Sequence, residues 1–206
     1  MEDVLDVYQR PYDRDFPVIC MDESPKQLVG EVREPLPCRP GSILKIDDEY
    51  ERKGVAELFL AIEPLTGYLR VDVEEQRTKK DWAEFIRSLV DIEYSDAKKI
   101  ILVMDNLNTH KISSLYEKFE PQEARRIAQK LEIHYTPKHG SWLNVAEIGF
   151  SLLKRTCIPE RVDSIEKLRA SVTAFVKERN AGERKINWQF TTNDARVKLR
   201  HLYPEL

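Results

Sequence analysis

The strongest structural signal in this sequence lies at residues 100–105, which read IILVMD. An unbroken apolar run rich in β-branched residues is typical of a strand that is buried on both faces. Asp105 stands where such a strand ends. Residues 16–22, which read FPVICMD, repeat this design and end on Asp22. The sequence therefore predicts two buried strands, each followed at once by a carboxylate.

The elements around these two strands predict the fold class. Residues 55–62 and 67–73 read as an antiparallel hairpin, and Thr78, with Asp81 three residues later, marks the start of a helix. The later alternation of strands and helices requires parallel pairing with right-handed crossovers. We expect an α/β fold: a mixed five-stranded sheet flanked by helices, in the element order of a ribonuclease-H-like domain.

The remaining segments complete a three-part division of the chain. Residues 1–16 are polar and predict an N-terminal surface arm, residues 17–161 form the α/β domain, and residues 162–206 form a C-terminal helical extension of that domain. The pattern also predicts an irregular connection over 24–49, helices within 112–131 broken at Pro121, a strand over 131–135, and helices over about 142–157 and 164–180.

Composition and charge exclude some classes of protein. The chain has 206 residues, 41% of them hydrophobic, and its longest apolar run is far too short to span a bilayer. The N-terminus lacks the features of a signal peptide, and three scattered cysteines predict neither a disulfide framework nor a zinc site. These features favour a cytoplasmic protein with no membrane partner.

The charge is unevenly distributed along the chain. The net charge is −3, but acidic residues predominate up to residue 105 and basic residues predominate after it. Either chance variation or a basic surface for nucleic acid accounts for this asymmetry.

Asp22 and Asp105 are the first candidates for chemistry. If their strands are adjacent and parallel, both carboxylates emerge at one sheet edge, where α/β proteins bind ligands. Two close carboxylates repel unless they share a proton or a cation, and Mg²⁺ binds carboxylates together with phosphate oxygens. Each residue alone has an ordinary alternative role, as a helix cap or the start of a turn.

A third acid comes from the helix expected over about 142–157. Its apolar residues form one face, whereas Asn144, Glu147, Ser151 and Lys154 form a separate polar stripe. Glu147 lies near the start of this helix, from where it can point back at the sheet edge. Three acids that hold a pair of divalent metals are a known arrangement for in-line phosphoryl transfer.

Three blocks of sequence closely resemble the DDE transposases of the insertion-sequence-630 type, within the mariner superfamily. They read MDES at residues 21–24, VMDNLNTH at residues 103–110 and PKHGSWLNVAE at residues 137–147. The resemblance runs from about residue 13 to residue 161. It implies a ribonuclease-H-like catalytic domain over 17–161, with Asp22, Asp105 and Glu147 as the catalytic and metal-binding acids.

The resemblance also implies cofactors and partners. The expected cofactors are two Mg²⁺ or Mn²⁺ ions per site, and the expected partner is double-stranded DNA, as transposon ends and target. The implied reaction is cut-and-paste transposition, by a protein associated with the nucleoid. A homodimer is left open. Two features depart from the family pattern: the interval between Asp105 and Glu147 is longer than in typical mariner relatives, and no recognition helix is expected before Asp22. The family's N-terminal helix-turn-helix DNA-binding module is therefore expected to be missing from this chain.

Further residues near the three acids are candidates for DNA contact or for support of the site. The residues expected to bind DNA are Lys111, Lys138, His139, Lys154 and Arg155. The residues expected to support the site are Asn106, Asn108, His110, Trp142 and Asn144.

Most of these residues have an ordinary alternative. Asn106 and Asn108 suit Asx turns. His110 either contacts a DNA phosphate, orients a metal-bound water or packs on the strand end. Trp142 either stacks on a base or anchors its helix, and Lys154 with Arg155 form either a phosphate track or a solvated helix end.

Three functions remain open at this point. The leading one is the catalytic domain of a cut-and-paste DNA transposase, with two-metal phosphodiester hydrolysis and strand transfer. The alternatives are a stand-alone ribonuclease-H-like nuclease and a non-catalytic DNA-binding or assembly fragment of a transposase. A haloacid-dehalogenase phosphatase is disfavoured, because no second Asp stands two residues after Asp22.

Overall fold

The computed structural model describes residues 1–107, 110–182 and 184–203. The elements are, in chain order, α1 (Glu2–Tyr8), β1 (Val18–Glu31), β2 (Tyr50–Ile62), β3 (Leu69–Glu74), α2 (Lys79–Ser88) with a π-helical turn (Leu89–Glu93), β4 (Ile100–Met104), α3 (Ile112–Lys118), α4 (Pro121–Gln129), β5 (Leu131–Tyr135), a 3₁₀ turn (Ser141–Leu143), α5 (Ala146–Thr156), α6 (Ile165–Asn180), α7 (Thr192–Lys198) and a 3₁₀ turn (Arg200–Leu202).

The strands in the described ranges form one mixed sheet of five strands in the order β3-β2-β1-β4-β5. β2 pairs antiparallel with both β1 and β3, whereas β4 pairs parallel with both β1 and β5. The antiparallel half contains the hairpin expected from the sequence, and the parallel half contains the two crossovers. The predicted α/β fold with a mixed five-stranded sheet is confirmed.

A hydrophobic core lies on each face of this sheet. Successive residues of a strand point to opposite faces. In β1, Val18 and Cys20 pack with α5 and α6, whereas Ile19 and Met21 pack with α2, α3 and α4. The residues of β4 divide between the same two cores in the same alternating way. The alternation thus sets which face each residue of these strands can reach.

Two helix starts follow the sequence prediction. The Thr78 side chain accepts a hydrogen bond from the Asp81 N–H, and the Asp81 carboxylate accepts one from the Thr78 N–H at 2.8 Å. This reciprocal cap fixes the start of α2. Pro121 separates α3 from α4 and occupies the first position of α4, where its missing N–H costs nothing.

The N-terminal segment differs from the prediction of a surface arm over 1–16. Its residues 2–8 form α1, in which Val4, Leu5 and Val7 are buried. The acidic residues of α1 mask its short apolar side in the sequence pattern. Only the residues that follow α1 run over the surface.

The predicted irregular connection over 24–49 is also too long. β1 continues to Glu31, and β2 begins at Tyr50. β4 pairs with β1 over residues 18–20, so the side of β1 that faces β4 is an unpaired edge at Pro25. Proline is tolerated there because its missing N–H is not needed for pairing.

The C-terminal segment packs back on the N-terminus. The Ser164 side chain caps α6, and the Thr191 side chain caps α7. The Arg196 guanidinium donates two hydrogen bonds of 2.8 Å to the Glu2 carboxylate, which joins α7 to α1. Among the helices of the described ranges, none is long and apolar enough to cross a membrane.

Candidate active site

Asp22 and Asp105 lie at the same edge of the sheet. β1 and β4 are neighbouring parallel strands, and Cys20 pairs with Val103. Two residues after Cys20 and Val103, the same register brings Asp22 beside Asp105. Cys20 and Val103 both point into the core on the α5 side, so strand alternation directs both carboxylates toward that face. The adjacent parallel strands required by the sequence hypothesis are present.

Glu147 approaches the same place from α5. The helix was expected from about Trp142 but begins at Ala146, because the Asn144 side-chain oxygen accepts the Ala146 N–H at 3.1 Å and ends the preceding turn. Glu147 is therefore in the first helical turn, where its side chain is exposed. Gly149 lets α5 lie close to the sheet, since an added Cβ would stand 2.9 Å from Leu60 Cδ1.

Asp22 shows the electrostatic character of the site most clearly. Burial raises the pKa of its carboxyl group to about 6, a hydrogen bond from the Glu23 N–H opposes this, and the charges of Asp105 and Glu147 raise it further. That hydrogen bond reaches Asp22 Oδ1 at 2.8 Å. Uncompensated negative charge of this kind suits a hard divalent cation with oxygen ligands.

The three acids are close enough to interact but are not gathered into a finished metal site. Within the described part of the chain, no three His, Cys, Asp or Glu side chains converge closely enough to hold an ion. Asp105 Oδ1 contacts His110, and Glu147 faces outward from α5. The Glu147 side chain has to turn before all three acids can share a cation.

His110 is fully buried between two carboxylates. Its Nδ1 contacts Asp105 Oδ1, and its Nε2 lies 2.8 Å from Glu23 Oε1. Burial lowers the pKa of His110, but the hydrogen bonds to Asp105 and Glu23 outweigh this and raise it to about 9. At neutral pH both ring N–H groups therefore donate. Its burial excludes the direct phosphate contact that the sequence left open.

Glu23 is the residue of this site that sequence reasoning missed. The sequence contained a signal for its burial, because Ile19, Met21 and Glu23 are alternate residues of β1 and so point to the same face. The first two are core residues on the α2 side, and the Glu23 side chain is buried there as well. Its direct neighbour Asp22 faces the other way.

Asn144 links the helix of Glu147 to the strand of Asp22. Its Nδ2 donates to the Met21 carbonyl at 2.8 Å, while its Oδ1 accepts the Ala146 N–H. Asn144 was expected in the polar stripe of the helix, but the helix begins only at Ala146, and Asn144 precedes it as a buried residue. Its support for the site comes from these two hydrogen bonds.

Tyr8 of α1 also supports this segment. Its hydroxyl donates to the Leu143 carbonyl at 2.7 Å and accepts the Val145 N–H at 3.4 Å. The Trp188 ring packs against the Tyr8 ring with their centroids 5.0 Å apart. Sequence reasoning missed this support because it assigned Tyr8 to a surface arm.

The residues expected to bind DNA are exposed and lie in three places. Lys111 precedes α3, just after the loop from Asp105. Lys138 and His139 follow β5, which is parallel to β4 and so ends at the same edge. Lys154 and Arg155 lie in the last turn of α5, about 11 Å along the helix from Glu147.

The loop after β5 has a defined shape. A hydrogen bond from the Gly140 N–H to the Pro137 carbonyl, at 2.9 Å, closes a turn in which His139 has φ of 63°. A positive φ is uncommon for residues other than glycine, although histidine adopts it more often than most. The turn holds Lys138 and His139 on the surface beside the site.

The remaining candidates differ in placement. Trp142 is 45% exposed, and its ring meets the Phe190 ring edge-on at 5.9 Å. This contact supports the anchoring role and leaves part of the ring accessible. Asn106 is exposed, and Asn108 lies outside the described residues.

Comparison with protein families and solved structures points in one direction. Residues 17–169, well over half of the chain, match the family described as DDE superfamily endonuclease. A search of curated proteins finds no significant match.

The solved structures that are similar to this chain include three structures of Mos1. They are a pre-cleavage Mos1 transpososome (16% identity, TM-score 0.54, 87% of this chain and 52% of that chain), the Mos1 strand transfer complex (15%, 0.56, 87% and 51%) and the Mos1 mariner paired end complex with Mn (17%, 0.51, 88% and 53%). At this identity the similarity establishes the fold, which is the ribonuclease-H-like one expected from the sequence. The chain spans about half the length of these matched chains.

Proposed function

Because the chain belongs to the DDE superfamily endonuclease family, we propose that it is the catalytic domain of a cut-and-paste DNA transposase. Membership in this family implies the use of a divalent metal ion. The observation that carries the proposal is that Asp22, just beyond the pairing of β1 with β4, meets Asp105, just after β4 ends, and that the Glu147 charge acts on the Asp22 carboxylate.

Asp22, Asp105 and Glu147 are the proposed catalytic residues and the ligands of two Mg²⁺ or Mn²⁺ ions. The ions, when bound, supply activation of the attacking water or 3′-hydroxyl and stabilisation of the leaving oxygen. The chain itself supplies the carboxylates. The Glu23 N–H donates a hydrogen bond that orients the Asp22 carboxylate. The Asn144 side chain keeps the start of α5 against β1 at Met21, so Glu147 stays within reach of Asp22.

Double-stranded DNA, as transposon ends and target, is the proposed substrate. Lys111, Lys138, His139, Lys154 and Arg155 are the proposed phosphate contacts, and the exposed part of the Trp142 ring is the proposed surface for stacking on a base. Support comes from the similarity to a Mos1 transposase paired-end complex with the left transposon end. We propose that a separate helix-turn-helix module recognises the transposon ends. We also propose that the reaction takes place in a homodimer that is associated with the nucleoid.

The test is nicking of supercoiled plasmid DNA with Mg²⁺ or Mn²⁺. Wild type is expected to convert plasmid to open circles, whereas Asp105→Ala is expected to lose more than about a hundredfold, which exceeds the usual cost of removing a residue that only supports a metal ligand. Asp72→Ala is the matched control, because Asp72 is an acid of β3 that is paired with Arg70. It should nick at the wild-type rate.

Two results would replace this proposal by the alternatives. Metal-dependent nicking without joining of transposon-end DNA to a target favours a stand-alone nuclease. DNA binding with no nicking by any of the three proteins favours a non-catalytic assembly fragment and contradicts the proposed activity.

A further inference from the structure

A buried chain of side chains runs through the sheet edge from Glu23 to Asp105. The side chains of Glu23 and His110 have no exposed surface, whereas the Asp105 side chain is 29% exposed. Glu23 Oε1 faces His110 Nε2 at 2.8 Å, and His110 Nδ1 contacts Asp105 Oδ1. Only the last member of the chain therefore reaches the site.

The His110 ring is held from several sides. The Trp82 ring lies over it, with centroids 6.0 Å apart and planes inclined by 30°. The Tyr135 hydroxyl donates to the His110 main-chain carbonyl at 2.9 Å. With its position fixed by packing, the ring can satisfy Asp105 only in the orientation that also faces Glu23.

Glu23 is an expensive residue to bury at this position. Its Oε2 is buried and has no hydrogen-bond partner among the described residues. A buried carboxylate that is only half satisfied lowers stability and requires an explanation. An apolar residue would continue the core alternation of Ile19 and Met21 at no such cost, so folding alone does not account for Glu23.

We propose that Glu23 is a positioning residue that acts on Asp105 through His110. It holds the ring so that one oxygen of the Asp105 carboxylate is bound by protein and the other is directed to the metal. The inference rests on the proposed function, because it presumes that Asp105 is a metal ligand. Ligating carboxylates are commonly oriented by hydrogen bonds from a surrounding layer of residues.

The competing explanation is a buried pair that only stabilises the loop after β4. The two explanations differ in what they predict for the folded protein. A purely structural pair changes the fraction folded and leaves the metal affinity of folded molecules unchanged. A positioning residue changes the affinity itself.

The experiment is a Mn²⁺ titration of the full chain, in which free Mn²⁺ is measured by electron paramagnetic resonance and folding is checked by circular dichroism. The variants are Glu23→Ala, Glu23→Gln and the control Glu63→Gln. Glu63 is also a buried glutamate, but it follows β2 and accepts a hydrogen bond from Thr66. Glu23→Gln keeps an oxygen that can accept from Nε2, so it tests whether positioning needs the acceptor or the charge.

Glu23→Ala is expected to weaken Mn²⁺ binding by about 10-fold or more, as is usual for residues that orient a metal ligand. Glu23→Gln is expected to recover part of this loss, and Glu63→Gln is expected to bind as wild type does. If Glu23→Ala does not fold, Glu23→Met, which removes the acceptor but fills the space, takes its place, and wild-type Mn²⁺ affinity in folded Glu23→Met overturns the inference.

The failure of this inference can be distinguished from that of the proposed function. Unchanged Mn²⁺ affinity in folded Glu23→Ala, with a wild type that binds and nicks, overturns the role of Glu23 alone. A wild type that neither binds Mn²⁺ nor nicks plasmid overturns the proposed function, and the positioning role falls with it.

Discussion

Two acidic regions of the molecule differ in what neutralises them. Around β3, Asp72 and Glu93 both bind the Arg70 guanidinium, with shortest separations of 2.7 and 3.3 Å. Where the pairing of β1 with β4 ends, Asp22 receives a main-chain hydrogen bond, and burial together with the acids around it raises its pKa. The first region carries its own cation. In the second region, no cationic side chain of the described residues pairs with Asp22, which is the arrangement expected where a metal binds.

Replacing the internal cation should have the largest effect on stability. Arg70→Met leaves Asp72 and Glu93 partly buried without a counter-charge. We expect a loss of about 2 kcal/mol in the free energy of unfolding, less than for a fully buried pair because these side chains retain some solvent. Arg87→Met is the control, since its partner Glu84 is well exposed and such pairs contribute at most about 1 kcal/mol. Urea denaturation at pH 7 measures both, and equal losses would contradict the distinction.

Removing a charge from the candidate site should have the opposite sign. The pKa of Asp22 is about 6 in the folded chain against an ordinary value of 3.8, so its ionisation opposes folding. That cost is absent below about pH 4 and complete above about pH 6. Asp22→Asn keeps the acceptor for the Glu23 N–H and should stabilise the metal-free protein by about 1 kcal/mol at pH 7.

The check is urea denaturation in the presence of a chelator at pH 7 and at pH 4. The advantage of Asp22→Asn should shrink at the lower pH. Asp72→Asn is the matched control and should be destabilising at pH 7, because it loses an ion pair with Arg70. A destabilised Asp22→Asn protein would show that the site is not strained.

The smallest expected difference between the two regions is in DNA affinity. We expect phosphate groups to bind near Asp22 and Asp105 and not near Arg70. Replacing Lys154 and Arg155 together with Ala should weaken binding to all duplexes alike and flatten the salt dependence by up to about one unit per lost contact. Arg126→Ala, which breaks contacts with Asp91 and Glu123 elsewhere, should leave both unchanged. Fluorescence anisotropy at several salt concentrations measures this, and sequence-selective, salt-insensitive binding would contradict it.

The parts of the fold that were predicted from sequence have strong local signals. The apolar run before Asp105 and the capping box at Thr78 each specify an element without reference to the rest of the chain. The two parallel strands then bring Asp22 and Asp105 to one edge as a consequence of topology. The roles of these two residues and of Glu147 stay predictions.

The parts that were missed depend on tertiary contacts. α1 is too short to form on its own, and it is stable because Val4, Leu5 and Tyr8 are covered by the rest of the chain. Pro25 indicates a loop unless one knows that β1 is an edge there. Glu23 and His110 are far apart in sequence, and a contact between β1 and the connection that follows β4 leaves no local pattern.

The most direct test of the account is the effect of Mn²⁺ on the melting temperature of wild type and of Asp22→Asn. If Asp22 and Asp105 hold the ion, Mn²⁺ raises the melting temperature of the wild type, because it binds the folded state. Asp22→Asn starts from a higher melting temperature, and Mn²⁺ should raise it much less. An equal rise in the two proteins would place the ion elsewhere and contradict a metal site at Asp22 and Asp105.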